Sequence, residues 1–174
     1  APASDWAKAG VEAMKAYYAL LPDYAAGSAR LAVEKLQPAR VGVARGESYV
    51  AVNRRETAPD GRTVTGTNPD GPIDPEVFVL RIDALDGSPI VAGVGYTMHP
   101  TTLGPTNKQM SADWPGYLKE TVELVTGAPT MFAQGATGDI GPGPDGFTDD
   151  IEVIKRLGSS VGASAIVAYH EIQL

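Results

Sequence analysis

Apolar positions follow a helical rhythm at both ends of the chain and a strand rhythm between them. Residues 6–20 are rich in alanine, with Trp6, Met14, Tyr17 and Tyr18 on the pattern, and Ser4 or Asp5 stands where an N-cap belongs. Pro22 and Asp23 interrupt the pattern, which resumes over 24–36 with Leu31, Val33 and Leu36 before Pro38 stops it. Residues 1–36 therefore read as a helical hairpin or one kinked helix. Short strands follow at 41–46 and 48–53, and the clearest hairpin joins 77–83 to 89–96 through Asp86 and Gly87. The second arm of that hairpin is nearly all apolar or small, the composition of a strand buried on both faces. A further buried strand is expected at 129–134. A helix is expected over 115–125, with Pro115 at its start. A long helix over 149–170 should turn Ile151, Val153, Ile154, Leu157, Val161, Ile166 and Val167 inward. Residues 56–75, dense in Pro, Gly, Asp, Asn and Thr, read as a long loop of the kind that carries function or packs on something. Strands alternating with helices predict an α/β fold with a mixed sheet flanked by helices, its strands and site loops spanning 40–146.

Composition narrows the class. At 174 residues with 43% hydrophobic and 20% charged, the chain has the make-up of one globular domain, or of a portion of a larger one. A net charge of -7 argues against binding nucleic acid, because an acidic surface repels phosphate backbones. The absence of cysteine excludes disulfides, thiolate ligands and a cysteine nucleophile, so any metal must rest on imidazole, carboxylate, phenolate or backbone oxygen. No apolar run reaches the roughly 18 residues of a membrane span. The chain opens on Ala1 without a methionine and stops directly after an apolar stretch, which suggests a segment of a longer polypeptide.

In open α/β sheets, ligands collect beyond the carboxyl ends of the strands. Two loops leave buried strands at such places, residues 96–116 and 134–146. The first carries His99 directly after a strand, followed by Thr101 and Thr102; its imidazole either meets a metal or substrate oxygen or is tied to a backbone carbonyl. The second is glycine-rich, and its free N–H groups could face an anion, although neither a Gly-x-Gly-x-x-Gly nor a Gly-Lys-Ser pattern is present. Asp139 in this loop reads as a functional carboxylate or as a turn cap. Arg54 and Arg55, at the end of a short strand, read as a solvated pair or as a clamp on a polar substrate group. His170 belongs to the solvated end of the last helix.

Taken in order, these stretches resemble the neutral/alkaline non-lysosomal ceramidase family, in which a zinc-bound water attacks an amide. The similarity rests on the segment from Gln37 through Gly46, on Val52-Asn53-Arg54-Arg55, on Tyr96-Thr97-Met98-His99-Pro100-Thr101, on Ser111-Ala112-Asp113-Trp114-Pro115-Gly116 and on Gln134-Gly135-Ala136-Thr137-Gly138-Asp139. The resemblance implies that His99 is a zinc ligand, that Arg54, or Arg55 if the register slips by one, binds substrate together with Gly141, and that Asp139 belongs to the catalytic set in an orienting role. It implies a zinc-dependent hydrolase of a small-molecule or lipid-like amide, leaning toward a secreted or periplasmic protein. Where the family has a serine, this chain has Gly141, so a serine-dependent step is excluded and an ester or a non-sphingolipid amide becomes an alternative substrate. The family's other zinc ligands, a His, a Glu and a Tyr, have no counterpart here. The remaining ligands are therefore expected from flanking chains of the same precursor or from companion subunits, which would also complete the domain. The other alternative is a catalytically inactive ceramidase-like subunit that serves binding or assembly.

Overall fold

The computed structural model describes residues 5–143 and 146–174, the side chains from residue 10 onward, and the chain divides into two compact units, Ala1–Pro38 and Ala39–Leu174. The first unit is a single helix, α1 (Asp5–Glu34). Of the two expected forms, hairpin or single helix, the structure has one element that runs through Pro22. Proline removes one bond, to the Tyr18 carbonyl, and the alanine-rich turns on either side have enough helix propensity to carry on past it. The candidate cap Ser4 lies outside the described residues.

The second unit is α/β. Its elements are β1 (Ala39–Glu47), β2 (Ala51–Thr57), β3 (Thr63–Asn68), β4 (Glu76–Ala84), β5 (Pro89–Tyr96), α2 (Asp113–Thr126), β6 (Thr130–Gln134), β7 (Ile140–Pro142) and α3 (Ile151–Glu171). The larger sheet has the order β1-β4-β5-β6 and is mixed: β1, β4 and β5 are antiparallel, while β5 and β6 run parallel across α2. The smaller sheet has the order β3-β2-β7 and is antiparallel. The hairpin of β4 and β5 turns as the sequence predicts, with Gly87 at φ 88°, a conformation glycine enters without a side-chain clash. Part of the expected 56–75 loop is instead β3, whose threonines suit a half-exposed strand.

One face of the larger sheet is covered by α2 and α3 and makes the core. Val77, Val79, Ala92, Val94, Tyr96 and Trp114 are all at most 2% exposed. Trp114 stands edge-on to both Tyr96 and Phe132, at centroid distances of 5.9 and 5.0 Å. Helix α3 contributes Ile154, Leu157 and Val161, whereas Ile151 and Val167, expected inward, are 39% and 61% exposed because the helix turns its small residues, Gly158, Gly162, Ala165 and Ala168, toward its neighbours. At its far end, Arg81 of β4 binds the buried Asp83 through Nη2 at 2.6 Å and lies over the Tyr169 ring at 4.6 Å, which joins strand to helix.

The opposite face of the sheet is apolar but open. Strand register aligns Val41, Ile82 and Val91 in one row and Val43, Leu80, Gly93 and Met131 in the next, with Val41, Val43 and Met131 each more than 60% exposed. Strand β5 is therefore buried on one face, not two: its apolar composition matches a layer that the described residues do not supply.

Gly158 marks the closest approach of the two helices, since a Cβ there would stand 2.8 Å from the Leu118 backbone nitrogen and also meet the Trp114 carbonyl. In a free helix Gly→Ala gains about 1 kcal/mol. Here Gly158→Ala is expected to lose about 1–3 kcal/mol by forcing α2 and α3 apart, read as a lower urea midpoint. Burial raises the Tyr96 phenol above its ordinary value, and its O–H donates to Ser48 O at 2.9 Å. Tyr169 is raised too, by burial first and then by the Asp83 charge. The native state thus keeps protons that the unfolded chain releases, so stability should be level up to about pH 10 and fall above it. A urea midpoint that is unchanged up to about pH 11 would contradict this.

Candidate functional site

The residues singled out at the strand ends converge on β7. Asn53 of β2 faces Ile140, and β2 carries Arg54 directly beyond it. The Arg54 N–H donates to Asp139 O at 2.7 Å, and the His99 N–H donates to Ile140 O at 3.2 Å. Two neighbouring carbonyls of one short segment therefore hold the backbones of Arg54 and His99. Ile140 is itself anchored in the core at 4% exposure.

His99 follows β5 by three residues, and its backbone is braced from three directions. Its carbonyl accepts from Thr101 N at 2.9 Å and from Trp114 Nε1 at 3.3 Å, and the preceding carbonyl, of Met98, accepts from Gln134 Nε2 at 3.1 Å. The Trp114 bond leads back to the start of α2, where Asp113 adopts φ 54°, a left-handed conformation that aspartate tolerates better than most residues. Its two carboxylate oxygens accept from Trp114 N at 2.8 Å and Leu103 N at 2.9 Å, which pins the loop after His99 to the helix. Asp113 thus has a local structural task.

The imidazole itself is not tied down. Its Nδ1 is sealed from solvent without a hydrogen-bond partner. The reading in which a backbone carbonyl satisfies His99 finds no such bond among the described residues. Arg54 Nε, Thr101 Oγ1 and Thr102 Oγ1 are likewise buried and unpartnered. An unsatisfied buried polar atom costs about 1–3 kcal/mol, so native structures seldom retain several together unless something else meets them. These four belong to the two segments that follow β5 and end β2.

Arg54 and Arg55 both reach the Gly138 carbonyl through Nη2, at 3.1 Å each, and neither forms an ion pair with a described carboxylate. Asp139, next to Gly138 in sequence, accepts instead from Asn53 Nδ2 at 3.3 Å. A cleft of about 110 Å³ opens here, lined by Arg54, Thr101, Gly141, Gly143, Gly146 and Phe147 among others. Of the free N–H groups expected in the glycine-rich loop, that of Ile140 donates to Thr137 O at 3.2 Å, Gly141 is paired with Val52 of β2, and Pro142 has none. His170, on the outer side of α3, stacks edge-on against Tyr169 at 5.5 Å and takes no part in the site.

For a metal, the described residues contain no group of three or more His, Asp or Glu side chains placed to hold one. His99 is a donor in search of a partner, but one imidazole does not make a zinc site, which takes three or four protein ligands. Thr101 and Phe147 were not assigned roles by the sequence. For Thr101 the signal was present in its place two residues after His99, on a segment leaving a strand. For Phe147 there was none, since its φ of 60° is set by the fold.

No family model matches the chain, and no curated protein does. Among solved structures, the chain is similar to one described as a ceramidase complexed with C2, at a TM-score of 0.58 and 23% identity over 81% of this chain. It is also similar to a neutral ceramidase from Pseudomonas aeruginosa, at a TM-score of 0.59 and 24% identity over 81% of this chain. The likeness is one of fold, and this chain spans 23% of the length of either structure.

Asn53 holds this arrangement together. At 3% exposure, it donates to Pro72 O at 3.0 Å and Asp139 Oδ2 and accepts from Arg55 N at 2.9 Å. Asn53→Ala is expected to cost about 2–3 kcal/mol in urea unfolding and to speed hydrogen exchange at the Arg55 amide. An unchanged Arg55 exchange rate would show that the side chain is not what orders the end of β2.

Proposed function

We propose that the chain contributes part of the active site of an amide hydrolase of the zinc-dependent, ceramidase-like kind. The observation that carries this reading is the set of unsatisfied polar atoms on His99, Thr101, Thr102 and Arg54, gathered around β7 in a fold shared with structures described as ceramidases. In this reading His99 supplies one zinc ligand, held in place by the braces on its backbone, and Arg54 and Arg55 hold the polar part of the substrate beside Gly141. Asp139 orients β7 through its carbonyl and carboxylate. The described residues do not complete a metal site, and in this reading the other ligands come from polypeptide outside these 174 residues.

The open apolar face of the larger sheet supports the same partnership. Exposing Val41, Val43 and Met131 to water forgoes about 25 cal/mol for each Å² of apolar area that a covering layer would bury. Monomeric proteins seldom leave contiguous apolar faces bare. Of the two substrate readings, Gly141 favours an amide or ester other than ceramide. Nothing with a hydroxyl stands at that position, and the nearest contacts a Cβ there would make are with the Arg54 stem, at 3.7 Å. The inactive-subunit alternative predicts an assembly without stoichiometric zinc.

His99→Ala in the complete assembly is expected to lower zinc to well below one equivalent by elemental analysis and to abolish amide turnover. Zinc content equal to that of the parent protein would overturn the assignment of His99.

A further inference from the structure

With 21 acidic residues against 14 basic ones, carboxylates are in excess, and Arg30, Arg45, Arg62 and Arg81 are each paired with one. Arg54 and Arg55 are adjacent in sequence, share one carbonyl oxygen and form no ion pair with a described carboxylate, the neighbouring Glu56 being engaged by Thr67 N at 2.9 Å. Two guanidiniums so close repel one another, and a single backbone carbonyl compensates little of that. Arg54 also leaves its Nε without a partner, although the planar Nε–Nη edge of arginine matches a carboxylate with two parallel bonds. Across the same cleft, Thr101 brings an unpartnered hydroxyl. Phe147 forms an apolar wall while 58% exposed and at φ 60°, a strained backbone for a bulky residue and one that tends to mark ligand sites.

We propose that this cleft is a carboxylate site and that the substrate is an N-acyl amino acid. Its carboxylate enters against Arg54, which turns from Gly138 O so that Nε and Nη2 both bond the anion, with Thr101 donating to it and Arg55, bonded to the same Gly138 carbonyl, adding positive charge beside the cleft. Phe147 covers the adjoining apolar part. The amide nitrogen of such a molecule is one carbon from the carboxylate, which sets the scissile bond near the cleft, where Arg54 and His99 bond β7 along its opposite edges and Thr101, two residues from His99, lines the wall with Gly141. At about 110 Å³ the cleft accommodates a compact anionic head and not an acyl chain. This inference rests on the amide-hydrolase reading for the direction of the substrate, but not for the anion site.

The test is isothermal titration of the complete protein with N-octanoylglycine, with N-octanoylethanolamine as the neutral counterpart, and with octanoate and inorganic phosphate as anions without the amide. N-octanoylglycine is expected to bind at least about tenfold more tightly than each of the other three, with affinity falling as NaCl is raised. Arg54→Gln should erase the preference over the neutral amide, Arg55→Gln should reduce it severalfold, and Arg45→Gln, on β1, paired with Glu76 and not among the residues lining the cleft, should leave it intact. Should Arg54→Gln fail to fold by circular dichroism, the exposed Arg55 variant decides. Equal binding of the acid and the neutral amide, or a preference that survives both substitutions, would overturn the site. Phosphate or octanoate binding as tightly as N-octanoylglycine would overturn the substrate class. Binding without hydrolysis by the zinc-loaded assembly would remove the hydrolase reading and leave the carboxylate site standing.

Discussion

Two adjacent carbonyls, of Asp139 and Ile140, organise the site. One receives the Arg54 N–H and the other the His99 N–H, so the positions of a cation and an imidazole far apart in sequence are set by a strand of three residues. Such a short strand could not hold itself in place. It is held because the Ile140 side chain is buried and because Asn53 ties the neighbouring carboxylate to β2. Core packing and the site are in this sense one construction: whatever loosens Ile140 shifts both functional segments together.

The larger sheet does a different job. Its covered face, with Trp114 wedged between Tyr96 and Phe132, supplies most of the apolar burial. Trp114 also bonds the His99 carbonyl, so the largest buried side chain of the core is in direct contact with the segment that carries His99. The uncovered face has the strand alternation of a two-sided sheet with only one side covered.

Much of this was legible in the chain. The β4–β5 hairpin, helix α2 to within a few residues, helix α3 and the strand-end place of His99 follow from apolar spacing and from Asp86-Gly87. Arg54 read as following a strand and instead lies within β2, and whether Pro22 splits the first helix or only interrupts it stayed open, because local preference cannot say how far flanking residues carry an element. The remaining errors share that cause. Residues 63–68 read as loop because their strand is made by pairing with β2, not by their own composition. Ile151 and Val167 read as inward because periodicity finds the apolar stripe but not the neighbour that small residues such as Gly158 allow to come close.

By itself, the sequence determined the class of the fold, the exclusion of thiolate chemistry and the short roster of side chains able to do chemistry, since these depend on composition and on interactions between near neighbours. The tertiary structure alone decided which of them meet. It put part of the glycine-rich loop into a strand, turned Asp139 toward Asn53, and left His99 Nδ1 and Arg54 Nε buried without partners. Those outcomes depend on backbone hydrogen bonds between residues as many as 85 positions apart, Arg54 to Asp139, which no local pattern encodes.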